Sequence, residues 1–268
     1  MPPDRTGARA GRMPVLFVGH GSPLNAIEDN VWSRALRGLA ATLPAPRAIL
    51  SVSAHWYVAG TFLTGDERPR TIHDFAGFPP ELFAVRYPAP GDPALADRVV
   101  RLLGPGRAAV REDWGLDHGT WSVLRHLRPA ADLPVVQLSV DFRAPAPVHL
   151  ELGRALRPLR DDDVLVMGSG NVVHNLAHAL TSQRRGDLAT PDWAREFDAA
   201  VAHAASAHDD DALTRALEGE AGRRAHPTPD HYLPRLYVAG AADAAVPVTF
   251  PVTGFDLGSL SMRAVRMG

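Results

Sequence analysis

Three short apolar runs, each followed within a few residues by a histidine, restrict the fold of this chain more than any other feature. Val15-Leu16-Phe17-Val18-Gly19 leads into His20, and Ile49-Leu50-Ser51-Val52-Ser53-Ala54 leads into His55. Val164-Leu165-Val166-Met167 leads through Gly168-Ser169-Gly170-Asn171-Val172-Val173 to His174. Near-continuous apolar runs of this length read as strands buried on both faces, as in a parallel sheet covered by helices. In an open α/β sheet, ligands bind in the crevice beyond the carboxyl ends of the strands. Three histidines delivered by three strand ends can converge there, and the pattern reads as a metal site. The expected fold is α/β: a single domain with a central mixed, largely parallel sheet flanked by helices, and the metal site at the carboxyl ends of the strands.

The stretches between these runs fit that plan. Asp29 or Asn30 can cap a helix whose apolar positions Val31, Leu36, Leu39 and Leu43 recur at helical spacing, and Pro44 and Pro46 end it. Asp92-Pro93 opens a second helix to about residue 103. Further helices are expected over residues 119–127, 192–207 and 210–218, with an amphipathic stretch at 147–159 and a short helix reaching about residue 239. Additional strands are expected at 61–64, 108–111, 134–140, 246–252 and 259–265. Residues 68–93 are rich in proline, glycine and aromatics, and a long irregular segment inside a compact domain reads as a lid or pocket wall.

Composition narrows the function. With 268 residues and 46% hydrophobic content the chain can bury one substantial core. Residues 13–268 are expected to form that domain, behind a disordered tail at 1–12 that carries Arg5, Arg9 and Arg12 but lacks the apolar stretch of a secretory signal. A net charge of −2 does not supply the basic field that non-specific nucleic-acid binding needs. No apolar run approaches the roughly 20 residues of a membrane span. A cytoplasmic protein with no nucleic-acid or membrane partner is expected, its oligomeric state open. The absence of cysteine removes disulfides, thiolate zinc sites and cysteine nucleophiles, leaving His, Asp and Glu as the strong metal ligands.

Other readings of the glycine motifs are weaker. Gly19-His20-Gly21-Ser22 and Gly168-Ser169-Gly170-Asn171 complete neither a dinucleotide fingerprint nor a P-loop, and no G-x-S-x-G nucleophile elbow occurs. Glycine at 19, 21, 119, 168 and 170 lets the backbone turn or approach a ligand beside His20, His118 and His174. His126, His149, His178, His203 and His208 read as structural or surface residues.

Six blocks then carry a resemblance. Gly19-His20-Gly21-Ser22-Pro23, Ser53-Ala54-His55-Trp56, residues 71–79, residues 114–121, residues 168–175 and residues 226–234 together resemble the LigB-like class III extradiol ring-cleavage dioxygenases, most of all the 4,5-DOPA dioxygenase branch. The likeness runs in order from about residue 14 to the C-terminus. It implies a mononuclear metal held by His20, His55 and His231. It also implies that His174 is an acid/base able to reach the metal in a resting site, and that His118 is a second pocket histidine, able to protonate or steady oxygen during ring opening. Many members of the wider superfamily place a glutamate where this chain has His231, so the site is one negative charge short of a 2-His-1-carboxylate triad. The implied substrates are a catechol and O2. The implied cofactor is Fe(II), with Zn(II) able to occupy the resting or purified protein, since ring cleavage by O2 needs a redox-active ion and zinc has no redox chemistry. Trp56, His73 and Phe78 are candidates for the substrate-binding wall, within an aromatic set that includes Tyr57, Phe75 and Trp121. Arg86 and Asp74 are the charged residues considered for a substrate head group, and neither is assigned to it. A zinc hydrolase on the same histidines and a non-catalytic metal-binding module remain as alternatives.

Overall fold

The computed structural model describes residues 11–268. The tail expected at 1–12 lies outside the described residues except for its last two, and Arg12 is held there by ion pairs to Asp161 and Asp243. Among the described residues, the first half of the chain runs β1 (Val15–Gly19), α1 (Val31–Thr42), β2 (Ala48–Val58), β3 (Phe62–Thr64), α2 (Pro80–Phe83), α3 (Pro93–Leu103), β4 (Ala109–Arg111) and α4 (His118–Leu127). Then come β5 (Val135–Asp141), α5 (Ala146–Ala155), β6 (Val164–Gly170), α6 (Leu176–Arg185), α7 (Asp192–Ser206), α8 (Asp210–Arg215) and α9 (Gly219–Ala225). The chain closes with α10 (Pro234–Ala241), β7 (Val248–Val252), β8 (Phe255–Asp256), β9 (Leu260–Ser261) and β10 (Ala264–Met267).

Eight strands form one sheet in the order β4-β3-β5-β2-β6-β1-β10-β7. Its centre, β5-β2-β6-β1, is parallel, while antiparallel pairs occur at β3–β5, β1–β10 and β10–β7. The sheet is mixed and largely parallel at its centre, as the apolar runs imply. Because side chains alternate along a strand, Val15 and Phe17 enter one core and Leu16 and Val18 the other. The first core is closed by Leu95 of α3, Leu150 of α5, Val201 of α7 and Leu236 of α10, the second by Leu36 of α1 and Leu124 of α4.

Local chemistry fixes where the key helices start. Asn30, not Asp29, caps α1: its side chain accepts from the backbone of Trp32 and Ser33, and the Ser33 hydroxyl accepts from the Asn30 N–H. Asp29 instead pairs with Arg34 and Arg37. Asp117 caps α4 at Thr120 N, so His118 becomes the first residue of that helix. At the end of β6, a Cβ on Gly170 would collide with the carbonyl of His231, and only glycine lets the segment carrying His231 lie across the strand end.

Several boundaries differ from the expectation. β2 runs on to Val58, past His55 and Trp56. Helices α6 and α9 were not anticipated. The strand expected at 259–265 is two pieces: Leu260–Ser261 pairs with β8 while Ala264–Met267 joins the main sheet.

Candidate metal centre

The carboxyl ends of β1, β2 and β6 meet at adjacent positions in the sheet, and each contributes to one cluster of imidazoles. His20 is the first residue beyond β1, and its N–H donates to the carbonyl of Gly170 at 3.0 Å. His55 stands near the end of β2, His118 opens α4, His174 lies beyond β6 and His231 precedes α10. Ring centroids are 5.0 Å apart for His20 and His55, 5.1 Å for His20 and His231, 5.0 Å for His55 and His231, and 3.8 Å for His55 and His118. The rings of His174 and His231 stack at 3.5 Å with their planes 2° apart. Nε2 of His20 and Nε2 of His55 are 3.2 Å apart. The ligating nitrogens of His20, His55 and His118 all lie within 4.8 Å of one another.

The outward-facing nitrogens are engaged, which decides what faces inward. The hydroxyl of Ser169 donates to the Gly119 carbonyl, so it accepts from Nδ1–H of His20 at 2.9 Å. One carboxylate oxygen of Asp74 accepts from Nδ1 of both His55, at 3.1 Å, and His118, at 2.9 Å. Asp230 accepts from Nδ1 of His231 at 2.6 Å. With Nδ1 protonated on all four rings, Nε2 keeps its lone pair, and this outer layer orients the imidazoles as ligands. Asp74 also accepts from the His118 backbone N–H at 2.9 Å, locking its segment onto α4.

Electrostatics favour the neutral, metal-ready form. Burial pushes His20 and His231 well below the ordinary histidine value, and the neighbouring imidazoles add to it. Burial likewise lowers His118 to about 4, against the opposing pull of Asp74, and lowers His174 to about 3. His55 goes the other way: burial disfavours its charge, but the bond to Asp74 and the charges of Asp117 and Asp230 outweigh burial and raise it. Burial alone would raise Asp74, yet its bonds from His118 and His55 hold it below the usual carboxylate range. Behind these, the fully buried Asp117 accepts from Ser53 Oγ at 2.6 Å and from Gln137, and burial raises its carboxyl to about 6. The Ser53 hydroxyl in turn receives the His55 backbone N–H at 3.2 Å.

Above the histidines opens a cavity of about 390 Å³. Phe75, Ala76 and Phe78 form one wall, from the irregular segment 68–93, and Leu176 and Leu180 of α6 form another with Leu257 and Leu260. Phe78 therefore lines it, whereas Trp56 and His73 do not. Consecutive residues of a strand face opposite ways, so with His55 turned into the site Trp56 is turned out of it. Trp56 is buried and stacks on Trp114 at 5.5 Å, with planes 7° apart. His73 donates from Nε2 to the Val85 carbonyl at 3.0 Å and opens onto a different cavity with Arg68, Arg70 and Arg86. Arg86 donates to the carbonyls of Phe83 and Val85, and Asp74, weighed as a head-group partner, serves the imidazoles. His126, His149 and His178 bond to Asn25 O, Tyr237 OH and Ser259 Oγ, away from the cluster. Sequence reasoning missed the roles of Ser169, Asp74, Asp117 and Asp230. The available signal was an aspartate next in sequence to a site histidine, as in Asp117-His118 and Asp230-His231.

The sequence profile of the catalytic LigB subunit of aromatic ring-opening dioxygenase matches residues 15–256. The chain belongs to this family. It is thereby a member of a family of ring-opening enzymes, and its three-histidine site suits a metal ion. It is 49% identical over 261 residues to a protein of Escherichia coli (strain K12) named 4,5-DOPA dioxygenase extradiol, covering 96% of this chain and 95% of that one. It is 36% identical over 233 residues to a protein of the same name from Beta vulgaris, covering 84% and 85%. The crystal structure of an uncharacterized protein from Escherichia coli K12 superposes with a TM-score of 0.82 at 44% identity, covering 96% of this chain and all of that one. No helix among the described residues is long and apolar enough to cross a membrane.

Proposed function

We propose that residues 13–268 form a non-haem, Fe(II)-dependent extradiol dioxygenase that opens the ring of a DOPA-like catechol with O2. One observation carries the reading. At the floor of a largely apolar cavity, imidazoles from remote segments turn their free nitrogens toward one another while their outer nitrogens are tied down by Ser169, Asp74 and Asp230.

The donor set fits such an ion: neutral imidazole nitrogen suits iron and zinc alike. His20 and His55 would hold it together with His231. When bound, ferrous iron would supply the redox chemistry toward a catechol and O2 that zinc lacks. The protein's own groups do the rest. His174, neutral at physiological pH, has a lone pair to take a hydroxyl proton as general base. His118, steadied by Asp74 through Nδ1–H, presents an Nε2 lone pair that would accept a proton released by the substrate and return it to an oxygen of the opening ring. Phe75 and Phe78 give a planar ring an aromatic wall and keep water off the reacting carbons. A reducing cytoplasm, where the iron stays ferrous, is the matching compartment.

A second assignment of the ligands rests on the mutual proximity of nitrogens from His20, His55 and His118, which makes His118 rather than His231 the third ligand. Metal content decides between them: His231→Ala empties the site in the first assignment and His118→Ala in the second. The function itself is tested by anaerobic loading with Fe(II), followed by O2 uptake and absorbance with DOPA, protocatechuate and catechol. Stoichiometric O2 consumption with a yellow ring-opened product is expected. Activity with zinc and indifference to O2 would replace the dioxygenase with a hydrolase.

A further inference from the structure

The irregular segment 68–93 does more than wall the cavity above the histidines. Its middle serves the metal centre, through Asp74 and the side chains of Phe75 and Phe78. The two limbs on either side of that middle are laced together: the Gly91 N–H donates to the Glu67 carbonyl at 2.8 Å, the Tyr87 N–H to the Thr71 hydroxyl at 3.0 Å, and His73 Nε2 to the Val85 carbonyl at 3.0 Å. Residues of both limbs line the cavity of about 670 Å³ onto which His73 opens, and this cavity shares no lining residue with the one above the histidines. Arg68, Arg70 and Arg86 supply its charge, Pro69, Pro88 and Pro90 its apolar surface.

The polar groups of this lining are donors left with capacity to spare. No carboxylate lines the cavity, and none of its three guanidiniums forms an ion pair among the described residues. Arg68 also borders Asp66, Glu67 and Glu112 and pairs with none of them. Arg111 binds Asp113 and holds its carboxyl below the usual range, with Arg70 adding only its charge. Two of the guanidiniums are nonetheless fixed in place. Arg86 Nη1 donates to the carbonyls of Phe83 and Val85 at 2.9 Å each, and Arg70 Nη2 to the carbonyl of Asp113 at 2.9 Å. A guanidinium carries five N–H donors in a planar fork, so each keeps several free. The Thr71 hydroxyl accepts from the Tyr87 N–H and has its own proton to give.

We propose that this cavity binds a phosphate dianion, free or as the monoester of a small molecule, held between the two limbs by Arg68, Arg70 and Arg86 with the Thr71 hydroxyl. A phosphate group carries a charge of about −1.5 to −2 at neutral pH and presents three acceptor oxygens, which matches several guanidinium forks better than a monocarboxylate does. The cavity falls in the size range of small-molecule sites, roughly 300–1,000 Å³, and leaves room for the body of an ester against the prolines. An occupant that bridges Arg70 and Arg86 joins the limbs at the base of the stretch carrying Asp74, Phe75 and Phe78.

The test is calorimetric titration of the purified full-length protein at pH 7.5, at an ionic strength held constant with sodium chloride, using inorganic phosphate, butyl phosphate and pentanoate as probes. Saturable binding of at least one phosphate with Kd below about 1 mM is expected, with pentanoate weaker by about tenfold or more. Tighter binding of butyl phosphate assigns the site to an ester, and tighter binding of inorganic phosphate to the free ion. Arg68→Gln, Arg70→Gln and Arg86→Gln are each expected to weaken phosphate by about five- to tenfold. Arg68 is exposed and makes no side-chain bond among the described residues, so its variant keeps the fold and gives a sound result should the Arg86 variant lose its carbonyl contacts. Amide hydrogen exchange places the ligand independently of affinity: protection by butyl phosphate is expected in both limbs, 68–73 and 85–90. Absence of saturation beyond that seen with chloride, pentanoate binding as tight as phosphate, or phosphate binding that none of the three substitutions changes and that protects only the segments around the histidines overturns the proposal.

Discussion

Asp74→Asn tests whether the outer layer of the site tunes the metal. Asp74 accepts from Nδ1 of His55 and of His118 through the same oxygen, and from the His118 backbone through the other. Removing its charge leaves shape nearly unchanged, but an amide offers one neutral acceptor oxygen in place of two anionic ones, so it cannot accept from both the imidazoles and the His118 backbone and raises the basicity of Nε2 less. Loss of one such outer partner typically weakens metal binding by about 10–100-fold. With His55 the one ligand that Asp74 backs, about tenfold is expected, or roughly 1.4 kcal/mol; should His118 be the third ligand, Asp74 backs two and the upper end applies, about 100-fold or roughly 2.7 kcal/mol. The assay is anaerobic competition between the protein and a coloured chelator for Fe(II) and for Zn(II), on wild type and variant. Asp230→Asn provides the comparison, since Asp230 touches His231 alone, and about tenfold weaker binding is expected if that ring is a ligand. Affinity of Asp74→Asn within about threefold of wild type would refute the argument, because a carboxylate bonded to the ligand His55 cannot then be setting its basicity.

Four other outcomes follow from the same geometry. His174→Ala is expected to keep its metal yet lose ring opening by about 10²–10⁴-fold, measured by O2 uptake; retained turnover sinks its role as base. Gly119→Ala places a Cβ 2.6 Å from Ser53 Oγ and 2.9 Å from His55 Cδ2, so it is expected to displace His55 and lower metal occupancy, read by elemental analysis. Trp56→Ala is expected to cost about 3–5 kcal/mol in urea unfolding with KM of the folded fraction unchanged, because Trp56 stacks on Trp114 outside the cavity. Acid stability is expected to depend on His226, which burial lowers to about 4. Below its unfolded value near 6.5 the unfolded chain takes up a proton that the native chain refuses, so stability falls as pH drops from about 6.5 to about 4, by on the order of 3 kcal/mol at most. A His226→Gln variant with the same pH slope as wild type would remove His226 as the cause.

The framework was legible because it rests on local signals. β1 was readable to the residue, and β6 and β5 nearly so, because fully buried strands leave uninterrupted apolar runs. α3 was readable from Asp92-Pro93 at its start. The end of β2 was not, because Ser53, His55 and Tyr57 interrupt the apolar pattern where the strand turns from core to site. α6 escaped for a related reason: Leu176 and Leu180 are 47% and 38% exposed and face the cavity, so the helix lacks the stripe of a core-packed one. The histidines themselves were conspicuous by sitting at strand ends. Which aromatic side chains line the cavity depends on strand phase, and placing Trp56 there required that His55 face away from the site.

The outer layer was illegible on different grounds, and it bears on a chemical question the sequence raises. Three neutral imidazoles give a divalent ion no negative charge, where a 2-His-1-carboxylate set gives one. The structure places carboxylates one bond further out, Asp74 behind His55 and His118 and Asp230 behind His231. A carboxylate hydrogen-bonded to Nδ1–H pushes electron density toward Nε2, so part of the missing charge reaches the metal through the ring. Asp74 comes from the irregular segment 68–93, 44 residues before His118 in the chain, and no periodicity links the two. The consequence is an asymmetry: His20, backed only by the Ser169 hydroxyl, is held well below the ordinary histidine value, and His55, whose affinity for a proton is raised by Asp74, lies above it. Protons and metal therefore compete hardest at His55, and Asp74→Asn is expected to weaken the metal while moving the acid limit of metal binding downward. A variant that lost affinity with an unmoved acid limit would place the effect of Asp74 in its grip on the His118 backbone instead.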